Sequence, residues 1–234
     1  MKALATLIAT MAFMIAPLIT DGFAGFRPDQ FPIPQDNAPV QPSGYAFSIW
    51  SVIYLWLLVS AIAGYWRYRD APEWDAARLP LILSLGGGAF WIKLATVSVI
   101  WASVLIWVML GTALWALFAG RGIKPAWAFA LPVGLYAGWL TAASCVSIGL
   151  LGAGYGVGGG AVHWAMLMIA VAMLLGGIVL RRAIGVWSYA LALAWALVGI
   201  MVRNGVETPP VTLFALAGVV VISGLALRQL RNHT

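Results

Sequence analysis

Long apolar stretches separated by short polar segments form the main pattern of the chain. A helix that spans a membrane needs about 20 predominantly apolar residues, and this length predicts eight helices. They are expected at residues 3–20, 45–66, 79–96, 98–119, 126–150, 162–180, 186–202 and 210–227. The least marked boundary lies around Ala95–Ser98, where Lys93 and the length of the combined stretch predict two helices rather than one.

Composition decides the class of protein. Hydrophobic residues make up 63% of the chain and charged residues 9%, whereas soluble domains carry about a quarter charged residues. This composition cannot cover a water-exposed surface, which excludes a soluble globular enzyme and a disordered chain. The sequence therefore predicts an all-α integral membrane protein with a bundle of about eight transmembrane helices. Cys145 has no second cysteine to pair with, which excludes an intrachain disulfide and a multi-cysteine metal site.

The basic side chains predict the orientation of this bundle. With a cytoplasmic N-terminus, three of the 13 Lys and Arg residues lie on the outer side, at Arg27, Lys93 and Arg203. All the others lie on the inner side, at Lys2, Arg67, Arg69, Arg78, Arg121, Lys124, Arg181, Arg182, Arg228 and Arg231. Such asymmetry follows the positive-inside rule. It predicts a multi-pass protein of a bacterial inner membrane with both termini cytoplasmic. The basic residues form no long run, so nucleic acid is not an expected partner.

The N-terminal region leaves one alternative open. The first stretch is either a retained helix or a secretory signal peptide cleaved near Ala24; its length, Pro17 and the lack of a clear A-x-A site favour the helix. The outer loop that follows, residues 21–44, is rich in proline. Because proline restricts the backbone, this loop is predicted to form an ordered cap.

Residues suited to catalysis are scarce inside the predicted spans. All seven acidic residues lie in loops or at span ends. One histidine, His163, begins the sixth helix, and the other, His233, lies in the tail. Ion-coupled transport and hydrolysis normally require ionisable groups within the membrane or in a shared site. Both are therefore disfavoured, and the sequence predicts no catalytic residue, no metal ligand and no required cofactor.

Aromatic residues are abundant, with 13 tryptophans. An interfacial aromatic belt accounts for those near span ends, at Trp66, Trp74, Trp101, Trp127, Trp164 and Trp187. It does not account for those near mid-membrane, at Trp56, Trp107, Trp139 and Trp195. Helix packing or a pocket for a flat hydrophobic ligand would explain these.

Two helices carry ordered faces. The second places Phe47, Trp50, Tyr54 and Leu57 on one side. The fifth combines Tyr136, Trp139, Ala143 and Ser147 on one face, with Gly134 and Gly138 on the opposite face. Small residues let helix backbones approach closely in lipid, so the glycine face is predicted to pack against another helix. The aromatic faces and Trp91 predict a pocket in the outer half of the membrane, beneath the proline-rich loop.

Two segments resemble the translocator protein family, also called tryptophan-rich sensory proteins (TspO/MBR). They are PSGYAFSIWSVIY at 42–54 and LPVGLYAGWLTAASCVS at 131–147. The matching positions are Pro42, Tyr45, Phe47, Trp50 and Tyr54 in the first, Tyr136, Trp139, Thr141 and Ala143 in the second, and Trp91 in the third helix. The chain departs from the family pattern at Ser48, Gly88 and Ser147. The resemblance implies a five-helix core at residues 1–150 and three additional helices at 151–234, as in longer family members.

The resemblance also implies a function. It indicates a membrane-embedded binding or sensory protein for tetrapyrroles, such as protoporphyrin IX and haem, or for sterol-like molecules. The residues expected to contact the ligand are Trp50, Tyr54, Trp91, Tyr136, Trp139, Ala143 and Ser147. Membrane lipid and a second copy of the chain, in a homodimer, are the other expected partners. A transporter of a hydrophobic solute and a light-dependent porphyrin-degrading enzyme remain alternatives.

Overall fold

The computed structural model describes residues 1–20 and 25–231 and is all-helical over these ranges, as predicted. Its eight α-helices are α1 (Lys2–Ile15), α2 (Ile49–Trp66), α3 (Pro72–Val97), α4 (Val99–Ala119), α5 (Ala130–Gly154), α6 (Gly160–Arg182), α7 (Trp187–Asn204) and α8 (Pro209–Arg231). Short 3-10 helices accompany them. They lie directly after α1 (Ala16–Leu18), in the loop that follows (Pro28–Gln30), directly before α2 (Gly44–Ser48) and just before α5 (Ala126–Ala128). By length and composition, α2 to α6 and α8 can each cross a membrane, and α1 with its extension is a shorter apolar helix. The chain is thus a multi-pass helical membrane protein.

The helix boundaries confirm one expectation and correct another. Ser98 alone separates α3 from α4; its backbone is extended and its hydroxyl accepts a hydrogen bond from the Trp101 N–H at 3.3 Å. Two helices therefore meet there, as the sequence predicts. By contrast, α3 begins at Pro72 rather than at residue 79. Proline suits the first helical position, and the acidic residues in the following turn favour the helix N-terminus.

Helix α5 forms the centre of the bundle. It is buried along almost its entire length and packs against α4, α6 and α7. A Cβ atom at Gly138 would overlap the backbone of Tyr189, and one at Gly134 would overlap Val186. The predicted glycine face therefore packs against the start of α7 within the same chain. A hydrogen bond of 2.7 Å from Ser188 Oγ to the Leu131 carbonyl fixes this contact.

The described part of the proline-rich loop covers one end of the bundle. The Ile33 N–H donates to the Gly154 carbonyl at 2.9 Å, and Gln30 Nε2 donates to the Ala95 carbonyl at 2.8 Å. Asn204 Nδ2 at the end of α7 donates to the Pro39 carbonyl, also at 2.8 Å. This part of the loop is an ordered cap, in agreement with its proline content. The alternative cleavage point near Ala24 lies outside the described residues, as does His233.

The opposite end of the bundle carries both ends of the described chain. Lys2 Nζ lies 2.6 Å from Asp75 Oδ2 in the first turn of α3, and Gln229 near the end of α8 donates to the carbonyl of Leu180 near the end of α6. Buried Arg78 donates to three backbone carbonyls around the end of α2, where such groups lack partners within the helix. The two ends of the described chain therefore lie on one side of the bundle, and the cytoplasmic location of that side stays a prediction.

The interfacial interpretation fails for one tryptophan. Trp74 is buried, with its ring stacked on that of Tyr68 at a centroid distance of 5.0 Å. The Trp74 ring also meets that of Phe129, with centroids 5.3 Å apart and the ring planes at 72°. Sequence position near a helix end therefore did not distinguish an interfacial ring from a packed one. Trp66, Trp101, Trp127 and Trp187 are exposed, as the aromatic belt predicts.

Candidate ligand-binding site

An aromatic cluster lies between α1, α2 and α5. Trp50 and Tyr54, one turn apart on α2, stack with ring centroids 5.3 Å apart. Phe13 of α1 presents its ring edge-on to both, at 5.8 Å and 5.0 Å. Trp139 of α5 meets Trp50 nearly perpendicularly at 6.1 Å. Stacked and edge-to-face contacts of this kind add to the stabilisation from burial, so the cluster holds these rings in fixed positions.

Two adjoining cavities lie beside this cluster. The first, here called the aromatic cavity, has a volume of about 170 Å³. Residues from the first five helices and the turns next to them line it: Phe13, Pro17, Phe47, Trp50, Tyr54, Gly88, Trp91, Ile92, Ile106, Met109, Trp139, Leu140 and Ala143. Among the described residues, its lining contains no acidic or basic side chain. Burial of apolar area and ring contacts are therefore the main interactions that it offers to a ligand.

The second, here called the cap cavity, has a volume of about 50 Å³. It lies between α3, α4, α5, α7 and the cap, lined by Gly25, Phe26, Gln41, Pro42, Phe47, Trp91, Ile106, Trp139, Ala142, Ala143, Val146, Ser147, Leu150 and Ala196. The residues common to both linings are Phe47, Trp91, Ile106, Trp139 and Ala143. These shared side chains form the wall between the two cavities, so a change in their rotamers would join the cavities.

The structure brings most of the predicted site residues together. Five of them line the aromatic cavity: Trp50, Tyr54, Trp91, Trp139 and Ala143. Ser147 lines the cap cavity, and its hydroxyl donates to the Ser144 carbonyl at 2.8 Å. Tyr136 lines neither cavity. It is fully buried, its hydroxyl lies 3.0 Å from Ser84 Oγ, and its ring supports Phe13. Whether these residues bind a ligand stays a prediction.

Sequence reasoning missed several elements of the site. Phe13 closes the aromatic cavity from α1, while Ile106 and Met109 form its α4 wall. The start of α2 also packs on α7, because Trp195 Nε1 donates to the Ala46 carbonyl at 2.9 Å. The two cavities therefore extend beyond the second, third and fifth helices, between which the sequence places the site, because α1, α4 and α7 also contribute lining residues. The signal for Phe13 was weak: it shares the buried face of α1 with Thr6 and Thr10.

Trp139 carries an unusual polar group for such a site. Its ring is 2% exposed, and its Nε1–H has no hydrogen-bond partner within the described residues. An unpaired buried donor costs about 1–3 kcal/mol. Trp91 differs, because its Nε1 donates to the Ala102 carbonyl at 2.8 Å. Trp107 Nε1 and Ser103 Oγ also lack partners in the described chain, but neither residue lines the two cavities.

Comparison with known proteins gave one result. A family model described as TSPO-like protein matches residues 3–228. The match begins in α1 and reaches the last turns of α8, so it includes the three helices that follow α5. No curated protein and no solved structure matches the chain significantly.

Proposed function

Because the chain belongs to the TspO family, whose members are membrane-embedded sensory or binding proteins, we propose that it binds a flat hydrophobic ligand of the tetrapyrrole class. Protoporphyrin IX and haem are the two compounds that we expect to bind. The observation that carries this proposal is the aromatic cavity lined by Trp139, whose buried N–H has no hydrogen-bond partner among the described residues. A ligand that is mainly apolar, flat and equipped with hydrogen-bond acceptors matches both features.

The rings supply most of the binding free energy in this proposal. Trp50, Tyr54 and Trp139 line the cavity, and a macrocycle gains affinity by covering their rings. Trp139 Nε1 donates to an acceptor on the ligand, such as a propionate oxygen. Each bound molecule thus provides the hydrogen bond that this buried donor lacks in the described structure.

The size of the cavities adds a requirement. An apolar cavity of about 150 Å³ accommodates benzene, and the aromatic cavity of about 170 Å³ is only slightly larger. A four-ring macrocycle is several times larger than benzene, so it needs the aromatic and cap cavities to join and also to widen beyond their combined volume. Phe47 and Trp91 stand in the shared wall, and we propose that their rotamers change when the ligand binds. The bound ligand then lies beneath the cap.

A titration tests the proposal. Purified protein in detergent is mixed with protoporphyrin IX, haem or a sterol, and binding is followed through the Soret band for the tetrapyrroles and through tryptophan quenching for the sterol. We expect micromolar or tighter affinity for a tetrapyrrole. Trp139→Ala should weaken this affinity by about 30-fold or more, because it removes a buried ring. Trp115→Ala is the matched control, since Trp115 is exposed on α4.

The other outcomes assign other functions. If no tetrapyrrole binds the wild type, or if both variants lose affinity equally, the proposed site is wrong. Porphyrin flux across proteoliposomes would indicate a transporter. Loss of the Soret band under light, dependent on Trp139, would indicate a porphyrin-degrading enzyme.

A further inference from the structure

A further cavity lies at the end of the bundle that carries both ends of the described chain, away from the cap. It is a cleft of about 460 Å³, larger than either cavity of the ligand site. The loop after α4, the start of α5 and the loop between α6 and α7 form its walls. We call it the basic cleft, because Arg121, Lys124 and Arg182 all line it.

These three cations have no charged partner in the described part of the chain. Arg121 stacks its guanidinium over the Phe118 ring at 4.7 Å, and none of the three side chains forms an ion pair there. Glu73 lies beside Gly122 in the loop after α4, but it does not line the cleft. Three positive charges around one concave surface are unfavourable to each other, and a bound anion would offset this repulsion.

Backbone N–H groups also favour the binding of an anion in the cleft. The loop between α6 and α7 turns at Gly185, whose φ of 80° suits glycine. The N–H groups of Ile184 and Gly185 donate no hydrogen bond within residues 1–20 and 25–231. Both residues line the cleft. Phosphate oxygens are strong acceptors that such donors and Arg side chains bind well.

Apolar side chains form the rest of the wall, and they indicate which kind of phosphate-containing molecule the cleft would bind. Leu117, Ile123 and Val186 are buried at its edge, and Ile184 is exposed. Trp127 and Trp187, two exposed tryptophans, lie next to the lining segments in sequence, as expected at a membrane interface. Inorganic phosphate gains nothing from this apolar wall, whereas a phospholipid presents a phosphate and a hydrocarbon segment together.

We propose that the basic cleft binds the headgroup of an anionic phospholipid. The phosphate contacts Arg121, Lys124 and Arg182. The parts of the acyl chains next to the glycerol pack against the apolar wall. Basic pockets between transmembrane helices on the cytoplasmic side are suited to anionic headgroups. This site is separate from the tetrapyrrole site and does not depend on the proposed function.

Native mass spectrometry of the detergent-solubilised protein tests the proposal. Phosphatidylglycerol and phosphatidylcholine with identical acyl chains are titrated separately, and the bound fraction gives each affinity. We expect the wild type to prefer phosphatidylglycerol. The variant Arg121→Gln/Lys124→Gln/Arg182→Gln should lose about 10-fold or more of that affinity. The control Arg67→Gln/Arg69→Gln/Arg228→Gln removes the same charge from exposed positions outside the cleft and should change the affinity less than about 2-fold.

Each alternative outcome is decisive. Equal losses in both triple variants would overturn the proposal, because the preference would then reflect net charge. Competition by millimolar inorganic phosphate, with no preference between the two lipids, would assign the cleft to a soluble phosphate instead. If the cleft variant fails to fold, the single variants Lys124→Gln and Arg182→Gln carry the test, and unchanged affinity in both would refute the site.

Discussion

Replacement of Trp139 by Phe separates the polar role of this residue from its bulk. The substitution keeps an aromatic ring between the two cavities and removes the Nε1–H, which has no partner in the described chain. In the free protein, an unpaired buried donor costs about 1–3 kcal/mol, and its removal offsets the loss of packing from the smaller ring. We therefore expect the free energy of unfolding to change by less than about 1 kcal/mol.

The effect on ligand binding has a different size. If the Nε1–H donates to a neutral acceptor on the ligand, its loss costs about 0.5–1.5 kcal/mol, which is about 2- to 12-fold in affinity. If the acceptor is a propionate carboxylate, the loss is about 1.5–3 kcal/mol, or about 12- to 150-fold. The measured factor therefore distinguishes the two kinds of acceptor. Porphyrin titration by Soret absorbance gives the affinity, and thermal unfolding in the same detergent gives the stability.

Two matched substitutions complete this experiment. Trp107→Phe also removes a buried N–H without a partner in the described residues, but Trp107 lines neither cavity; affinity should stay unchanged. Trp91→Phe removes a donor that is bonded to the Ala102 carbonyl, so the free energy of unfolding should fall by about 0.5–1.5 kcal/mol. The reasoning is refuted if Trp139→Phe binds porphyrin as tightly as the wild type, or if Trp107→Phe weakens binding to the same extent.

Two further predictions concern packing and the cap. Gly138→Ala should destabilise the protein, because the new Cβ would overlap the backbone at the start of α7. At Gly86 a Cβ meets open space, so Gly86→Ala should stabilise the protein by about 0.5–1 kcal/mol. Thermal unfolding measures both variants, and equal shifts of their melting temperatures would contradict this contrast. Asn204→Ala removes the hydrogen bond to the Pro39 carbonyl and should lower stability by about 0.5–1.5 kcal/mol and speed porphyrin dissociation in stopped-flow measurements. An unchanged dissociation rate would mean that the cap does not retain the ligand.

The sequence predicted the architecture because long apolar stretches have few other outcomes in a membrane protein. Even the single-residue break at Ser98 was visible, since the combined stretch is too long for one span and Lys93 interrupts it. The beginning of α3 was missed because Glu73 and Asp75 were interpreted as a polar loop. In the structure they form the first turn, where acidic side chains are favoured.

The candidate site was predictable only on helices with a marked difference between faces. In α5, glycines on one side and aromatic residues on the other gave the correct phase, and Trp139 and Ala143 line the cavity as expected. In α4 both the lipid-facing and the core-facing sides are apolar, so no pattern identified Ile106 and Met109 as cavity residues. Lipid and protein interior are similar solvents for such side chains, and for this reason hydrophobicity alone cannot show which face is buried.

The contact between the glycine face of α5 and the start of α7 constrains how two copies of this protein can associate. Close backbone approach through glycine is a common means of joining transmembrane helices from different subunits. Here Gly134 and Gly138 are already covered by residues of their own chain. A homodimer must therefore form through another surface. The segment from α6 to α8 covers the face of α5 that a helix of a second molecule would otherwise cover. A chain shortened after α5 would leave a groove in its lipid-facing side, which a second molecule or acyl chains would have to fill.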